Sequence, residues 1–356
     1  MALPRPAARI LAAAGHVGWC TTMQASREAL SSAKAVQQGR VLFVGGFAGV
    51  VVKAQLTKVE SLDLSSGEWR IEPRLSRPRA CHAAAVVGRF VYVCGGLPPT
   101  SRSVLCFRPV SRCWSALAPL VKPRIWAGAV AMNNAIYVVG GIKQDNGGVF
   151  TVHDTVERLR PEGASLAPKW VIVPGSVERR CGHATAALGD SIFLCGGSVH
   201  APPPGVVWLA DMVGARNAEC FSLAIGKPES LPSMSSPRIY HSAVVAKGKV
   251  IVCGGQKRSR GEPLNTCESY DPNEEAWCEC QPMMRGSLGH SVLVRGGGLY
   301  IFGGATNGTH CSAVPFVHRL GLATGIWKEQ RPMQSCRASF CAAVIRTCPR
   351  AEQLRR

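Results

Sequence analysis

Five arginines and four histidines recur at fixed places in this 356-residue chain. The segments PRACHAAAV, PRIWAGAVA, RRCGHATAA, PRIYHSAVV, RGSLGHSVL and CRASFCAAV each lead into a run of small or β-branched residues. Arg79, Arg124, Arg180, Arg238 and Arg337 occupy one slot, with Arg285 two residues early; His82, His183, His241 and His290 stand three residues after it. A guanidinium binds a carboxylate through two parallel N–H bonds, so such residues gathered round one mouth suit an acidic peptide. Bundled like charges in a concavity also focus the field. A second reading makes each arginine an architectural link that bonds to carbonyls of the neighbouring repeat. One ring can serve both ends, and residue types do not separate them.

Other chemistry is sparse. No Ser-His-Asp order, phosphate loop or HExxH is visible, so no catalytic residue, metal or cofactor is assigned. Cys278 and Cys280 form the only close cysteine pair, in WCEC, and are too isolated for a four-ligand zinc site. Histidines carried on separate repeats stand too far apart to share a metal. Of five tyrosines, only Tyr240, beside His241, is placed to reach the same mouth as the arginines.

Composition narrows the classes. Lys and Arg number 41 against 22 Asp and Glu, an excess that draws acidic partners. Nucleic acid is disfavoured, since no basic run carries interleaved aromatics and only 6% of residues are aromatic. No apolar run of about 18 residues or more exists to cross a membrane. The 16 cysteines scatter through strands and turns, as small buried hydrophobes do, and this points to a reducing compartment, the cytoplasm. The first 27 residues hold three arginines and no acid, as organellar presequences do, but Pro4, Pro6, Gly15 and Gly18 oppose an amphipathic helix. Residues 1–31 are expected to form a disordered tail, 32–348 the folded unit and 349–356 a second tail. The Asn307-Gly-Thr site matters only in a secreted protein.

The elements that position these residues repeat. Gly45-Gly46, Gly95-Gly96, Gly140-Gly141, Gly196-Gly197, Gly254-Gly255 and Gly303-Gly304 each end a short apolar strand: VLFV, VYVC, IYVV, IFLC, VIVC and YIF. Trp69, Trp114, Trp170, Trp277 and Trp327 follow five of the pairs, after stretches such as VESLDLSSGEW and CESYDPNEEAW. Another short strand then leads to the next pair. Four strands in each ~50 residues, bounded by turn chemistry, make one propeller blade.

The Gly pair, the E-x-Y-D-like stretch and the spaced Trp resemble the kelch repeat. The resemblance covers residues 32–346 and implies an all-β, six-bladed propeller with four antiparallel strands per blade. In the fourth repeat Pro228 stands where Trp is expected, and Trp208 cannot replace it, so that blade is expected to pack less well at its edge. No seventh Gly pair follows SFCAAVIR, so residues 339–346 are expected to pair with 40–44 and close the ring; the more polar 32–38 is the competitor. The tight turns of this topology fall on one face. The irregular loops and the arginine-bearing links fall on the other, where binding residues tend to lie. The Trp residues are read as core and the histidines as structural, lying close to the Gly pairs.

The resemblance also implies function. Kelch propellers bind proteins, some as substrate receptors of cullin-type ubiquitin ligases, others on actin or as scaffolds. In the ligase receptors a BTB or F-box domain precedes the propeller, and residues 1–31 are too few for either. Copper oxidases and a sugar epimerase share related folds, but a copper–radical site needs Tyr, His and a Tyr–Cys crosslink. The expectation is a protein-binding module on the loop face, through Arg79, Arg124, Arg180, Arg238, Arg285, Arg337 and Tyr240.

Overall fold

The computed structural model describes residues 39–49, 54–99, 101–145, 147–161, 168–202, 212–308 and 312–346. Both expected tails, the competitor segment 32–38 and Trp208 lie outside them. Six four-stranded antiparallel sheets form the blades of a propeller. Blade 2 runs Ala83–Val87, Phe90–Cys94, Val104–Arg108 and Cys113–Leu117 from axis to rim, and blades 3 to 6 repeat the plan. Blade 3 adds a small hairpin, Ile142–Gln144 with Phe150–Val152, on its long loop.

Blade 1 is built from both ends of the chain. Cys341–Arg346 supplies its innermost strand and pairs antiparallel with Gly39–Val44, from Val44↔Cys341 to Gly39↔Arg346. Val59–Asp63 and Trp69–Glu72 complete it. The expected closure is therefore the one found. It leaves no inner edge open to pair with another chain.

The last four residues of the second strand of each blade are apolar because neighbouring blades cover both its faces. In Gly39–Val44, Val41 and Phe43 pack toward blade 6, while Leu42 and Val44 pack toward blade 2. Side chains alternate sides along a strand, so one run serves two interfaces. Six clusters of this kind fill the six clefts between blades. The inner strands use Ala, Val, Thr and Ser because they converge on the axis.

The tryptophans sit farther out than a core reading places them. Trp170 is buried, whereas Trp69, Trp114, Trp277 and Trp327 are half-buried at the blade edges. The indole N–H groups of Trp114, Trp170 and Trp277 donate to the carbonyls of Pro73, Ala118 and Pro232, at 2.8, 3.0 and 2.8 Å. Each acceptor lies where the preceding blade ends, so these rings tie one blade to the last. In blade 4, Pro228 does take the Trp register, opposite Phe221, and is exposed. There Val173 packs on the cluster that holds Phe221, and Gly175 comes up against the Gly226 carbonyl.

Candidate partner-binding face

The links between blades define the loop face, and each begins with the arginine slot. Arg79, Arg124, Arg180, Arg238 and Arg337 are all buried, at 2% exposure or less. One Nη of each donates to the carbonyl of the first glycine of the blade it enters: Gly95, Gly140, Gly196, Gly254 and Gly45. The arginine's own carbonyl accepts the N–H of the second glycine in the blade before, as Gly46 to Arg79 at 2.8 Å and Gly304 to Arg337 at 2.7 Å. Each link thus bonds to two consecutive blades. The expectation that these five guanidiniums face a partner is corrected: burial and carbonyl bonding make them architectural.

Carboxylates neutralise four of them. Glu157, Glu219, Glu268 and Glu60 meet Arg124, Arg180, Arg238 and Arg337 at 2.9, 3.2, 2.7 and 3.0 Å. Burial alone would raise the Glu60 pKa, but hydrogen bonds from Lys58 and Arg337 and the Arg337 charge hold it below the ordinary value. At Glu219 burial wins and the pKa is raised. Among the described residues Arg79 has no such partner, because Leu105 holds that register opposite Val93. Burial lowers its pKa to about 10. The sequence carried the signal in the recurrent Glu of the third strands, and the reading missed its role.

Arg285 is exposed and is not the slot residue of blade 6. Ser287 is: its carbonyl accepts from Gly255 N–H at 2.8 Å, and its hydroxyl donates to the Gly303 carbonyl at 3.1 Å. His318 there replaces the glutamate, opposite Ile301. Arginine and carboxylate are lost together in this blade.

Two residues past the slot, Cys81, Trp126, Gly182, Tyr240, Gly289 and Ser339 form a closed cycle of backbone hydrogen bonds, each N–H donating to the preceding blade's carbonyl at 2.7 to 3.0 Å. All six are left-handed, with φ between 52° and 62°. That conformation turns N–H and C=O along the ring. For the four residues other than glycine it costs ~1–2 kcal/mol each. An apolar plug drawn from all six blades sits with the ring, Trp126 and Tyr240 meeting at 5.3 Å between ring centroids. Tyr240 is 5% exposed, with its hydroxyl 3.1 Å from Met212 Sδ. Its assignment to partner contact is corrected too, since its ring is buried against Trp126 and offers a partner almost no surface.

A cavity of about 100 Å³ remains on the axis, bordered by the ring and by His82, His183, His241, His290 and Phe340. It has room for a few waters. The histidines lie against the Gly pairs, as read from the sequence: a Cβ on Gly140 (φ +60°) would stand 2.8 Å from His183 Cε1, and one on Gly197 (φ +89°) 2.6 Å from His183 Cβ. Burial and the nearby arginines push the His82 pKa down to about 3. Burial takes His290 to about 4 and, with neighbouring cations, holds His183 and His241 well below 6.5. The ring is neutral. Among the described residues, no group of three or more His, Cys, Asp and Glu could hold a metal.

With the slot arginines and Tyr240 buried, the exposed chemistry of this face among the described residues lies on its rim. The loop of blade 4 runs alongside that of blade 5: Val213 bridges Arg258, Gly214 N–H donates to the Lys257 carbonyl at 2.8 Å, and Ser259 N–H to that of Met212 at 2.8 Å. Blade 6 joins on the other side, where a Cβ on Gly308 would stand 2.6 Å from the Gly261 carbonyl oxygen. Three loops thus make one ridge. Arg216, Lys257, Arg258 and Arg260 are exposed along its described residues, among which Glu262 is the one acid, and Val213 is 60% exposed. Arg74, Arg77, Arg102, Arg179, Arg285 and Arg331 are exposed elsewhere on the loops and links of the same face.

The family model for the KLHDC2/KLHL20/DRC7 Kelch-repeats domain matches residues 127–348, and that for the Kelch motif matches 78–121. The chain belongs to the kelch-repeat family. This kelch chain is similar to Kelch-like protein 36 of Bos taurus, 26% identical over 344 residues, which cover 93% of this chain and 52% of that one. It is also similar to the Kelch repeat and BTB domain-containing protein 1 of Cowpox virus, 24% identical over 237 residues, 65% of this chain and 39% of that one. The chain spans about half the length of the curated relatives it matches. The solved structure of YjhT matches with a TM-score of 0.62 at 15% identity, over 76% of this kelch chain and 88% of that one, and shows the fold alone.

Proposed function

We propose that this kelch propeller is a non-catalytic protein-binding module that docks an acidic segment of its partner on the rim of the loop face. The observation that carries this reading is the ridge joining blades 4, 5 and 6. There Arg216, Lys257, Arg258 and Arg260 stand exposed beside Val213 on backbone fixed by cross-loop hydrogen bonds. Ordered loops on a rigid scaffold pay little entropy on binding. Exposed arginines offer carboxylates the bidentate contact that the buried ones cannot. Substrate selection for a cullin-type ubiquitin ligase is the role proposed for this face, with the adaptor supplied outside the propeller. One relative joins kelch and BTB in its name, which favours this over an actin or scaffold role. The cytoplasm is the proposed compartment, because 13 cysteines of the described residues are free thiols.

The test compares wild type with the charge reversal Lys257→Glu, Arg258→Glu, Arg260→Glu and with the turn-face control Lys247→Glu. Binding to a fluorescent poly-glutamate peptide is read by anisotropy, and captured partners by mass spectrometry. The reading requires the ridge variant to lose the peptide and specific partners at unchanged Tm while the control keeps both. Equal binding by all three would remove the ridge from the reading. Cullin subunits captured by wild type and by both variants would support the ligase role; their absence from all would end it.

A further inference from the structure

Blade 5 places three cysteines in a row across adjacent strands. Cys253 lies directly opposite Cys267, and Cys267 directly opposite Cys280. Among the described strand pairs no other sets Cys against Cys. Residues directly opposite point to the same side of the sheet. All three accordingly belong to the cluster between blades 5 and 6. The neighbouring Gly254 N–H donates to Thr266 at 3.1 Å, so Gly254 and Thr266 form the hydrogen-bonded pair and Cys253 and Cys267 the non-bonded one. Side chains come closest at non-bonded pairs, where Cα atoms are ~4.5 Å apart, and disulfides span ~4.4–6.8 Å.

The row is graded in exposure and reactivity. Cys253 and Cys267 are buried, Cys280 half-buried on the outermost strand, and Cys278 exposed beyond it. The Cys253 thiol hydrogen-bonds to Cys267, and this bond with the Arg238 charge holds the Cys267 pKa below its ordinary value against burial. The thiolate is the attacking species in disulfide chemistry. Burial raises Cys280, whose advantage is access.

We infer that these cysteines form a dithiol site oxidised by peroxide, with Cys280 as the point of entry and a Cys253–Cys267 disulfide as the product. Peroxide oxidises the Cys280 thiol to a sulfenic acid: an S–O bond forms, the O–O bond breaks, and one water leaves. The Cys267 thiolate attacks that sulfur, and the departing hydroxide takes up the proton Cys267 had released, leaving as the second water. Cys253 then attacks Cys267, and its proton passes to the Cys280 sulfur released. The sum is two thiols and one peroxide giving a disulfide and two waters. The product joins the two ends of the loop 254–266, which carries Lys257, Arg258 and Arg260.

The reduced full chain is treated with one equivalent of hydrogen peroxide, quenched in acid, alkylated while unfolded and mapped by peptide mass spectrometry. The expected product is Cys253 linked to Cys267, with Cys280 free to alkylate. In Cys280→Ser, formation slows at least tenfold at unchanged Tm; Cys278→Ser oxidises as wild type does. A Cys267–Cys280 bond that persists would overturn the inward transfer. A Cys280→Ser protein that oxidises at the wild-type rate would overturn Cys280 as entry. Oxidation confined to Cys113, Cys278 or Cys336 would overturn the site. Should Cys280→Ser misfold, Cys280→Ala tests the same step.

Discussion

Arg238 Nη2 lies 2.7 Å from Glu268 Oε1, and the two side chains are almost wholly shielded from water. The guanidinium also donates to the carbonyls of Gly254 and Thr266, at 2.8 and 2.9 Å. Two buried charges thus satisfy each other while the remaining N–H groups fasten the strand ends of blade 5. Breaking such a pair strands the surviving charge, which typically costs ~3–5 kcal/mol. Arg238→Met is expected to cost that much in urea unfolding, and Glu268→Leu added to it to restore part of the loss. Arg79 faces Leu105 and leaves no carboxylate behind, so Arg79→Met should cost less than Arg238→Met. Equal losses would show that the carbonyl bonds, rather than the ion pairs, dominate the links.

The buried histidines make the propeller sensitive to acid. His290 is held at about 4 in the folded chain against an ordinary 6.5, chiefly by burial. Between those values the unfolded chain binds the proton and the folded one does not, so unfolding gains as pH falls. The stability that neutral His290 contributes is complete above 6.5 and is lost progressively down to about 4. His290→Phe, which copies Phe340 at the same slot of blade 1, is expected to flatten the fall of Tm across that window. A slope identical to wild type would mean that His290 does not titrate with unfolding.

The blade plan was legible because its signals are local. A Gly pair needs the left-handed backbone where it stands, an apolar run of four needs cover on both faces, and each recurs six times. Ring closure followed from counting, since SFCAAVIR had no Gly pair of its own to pair with. What a repeated arginine touches is a different kind of fact. Arg180 looks the same in sequence whether it points into a mouth or back onto the Gly196 carbonyl, and the choice depends on where the next blade's strand ends. The paired loss of Arg and Glu at Ser287 and His318 was the available clue, because a ligand-binding ring has no reason to lose a glutamate in another strand. The interlock of the loops 212–217 and 256–261 joins segments far apart in sequence, and no periodicity reports it.

The edge tryptophans differ in burial, and their truncation should differ in cost. Trp170 is 6% exposed and donates to Ala118 across the blade boundary. Trp170→Ala is expected to cost ~3–5 kcal/mol, as truncation of a buried aromatic does. Trp277 is half-buried, so Trp277→Ala should fall at or below the low end of that range. Chemical denaturation of both variants decides it, and a larger loss at Trp277 would mean that its tilted ring contact with Tyr270, 5.4 Å between ring centroids, outweighs burial.

Removing residues 336–356 tests how far the ring depends on its closure. The deletion takes away Cys341–Arg346, the six-residue partner of Gly39–Val44, and with it Arg337, whose guanidinium holds Glu60 and the Gly45 carbonyl. It uncovers the inner edge of blade 1, leaves the buried Glu60 carboxylate with Lys58 as its remaining cation, and opens the cycle of N–H bonds at Ser339. These losses fall on one blade, and what then joins it to blade 6 is the packing of Val41 and Phe43 on Leu293 and Phe302, without the inner strand that covers it. The truncated chain is expected to lose its cooperative thermal transition. A synthetic peptide of residues 336–346, added in excess, should restore it, because the missing strand forms its bonds from outside as well as from within the chain. A truncated chain that melts at the wild-type temperature would show that closure contributes nothing. A truncated chain that the peptide cannot rescue would place the loss in the covalent continuity of the ring rather than in the strand pairing.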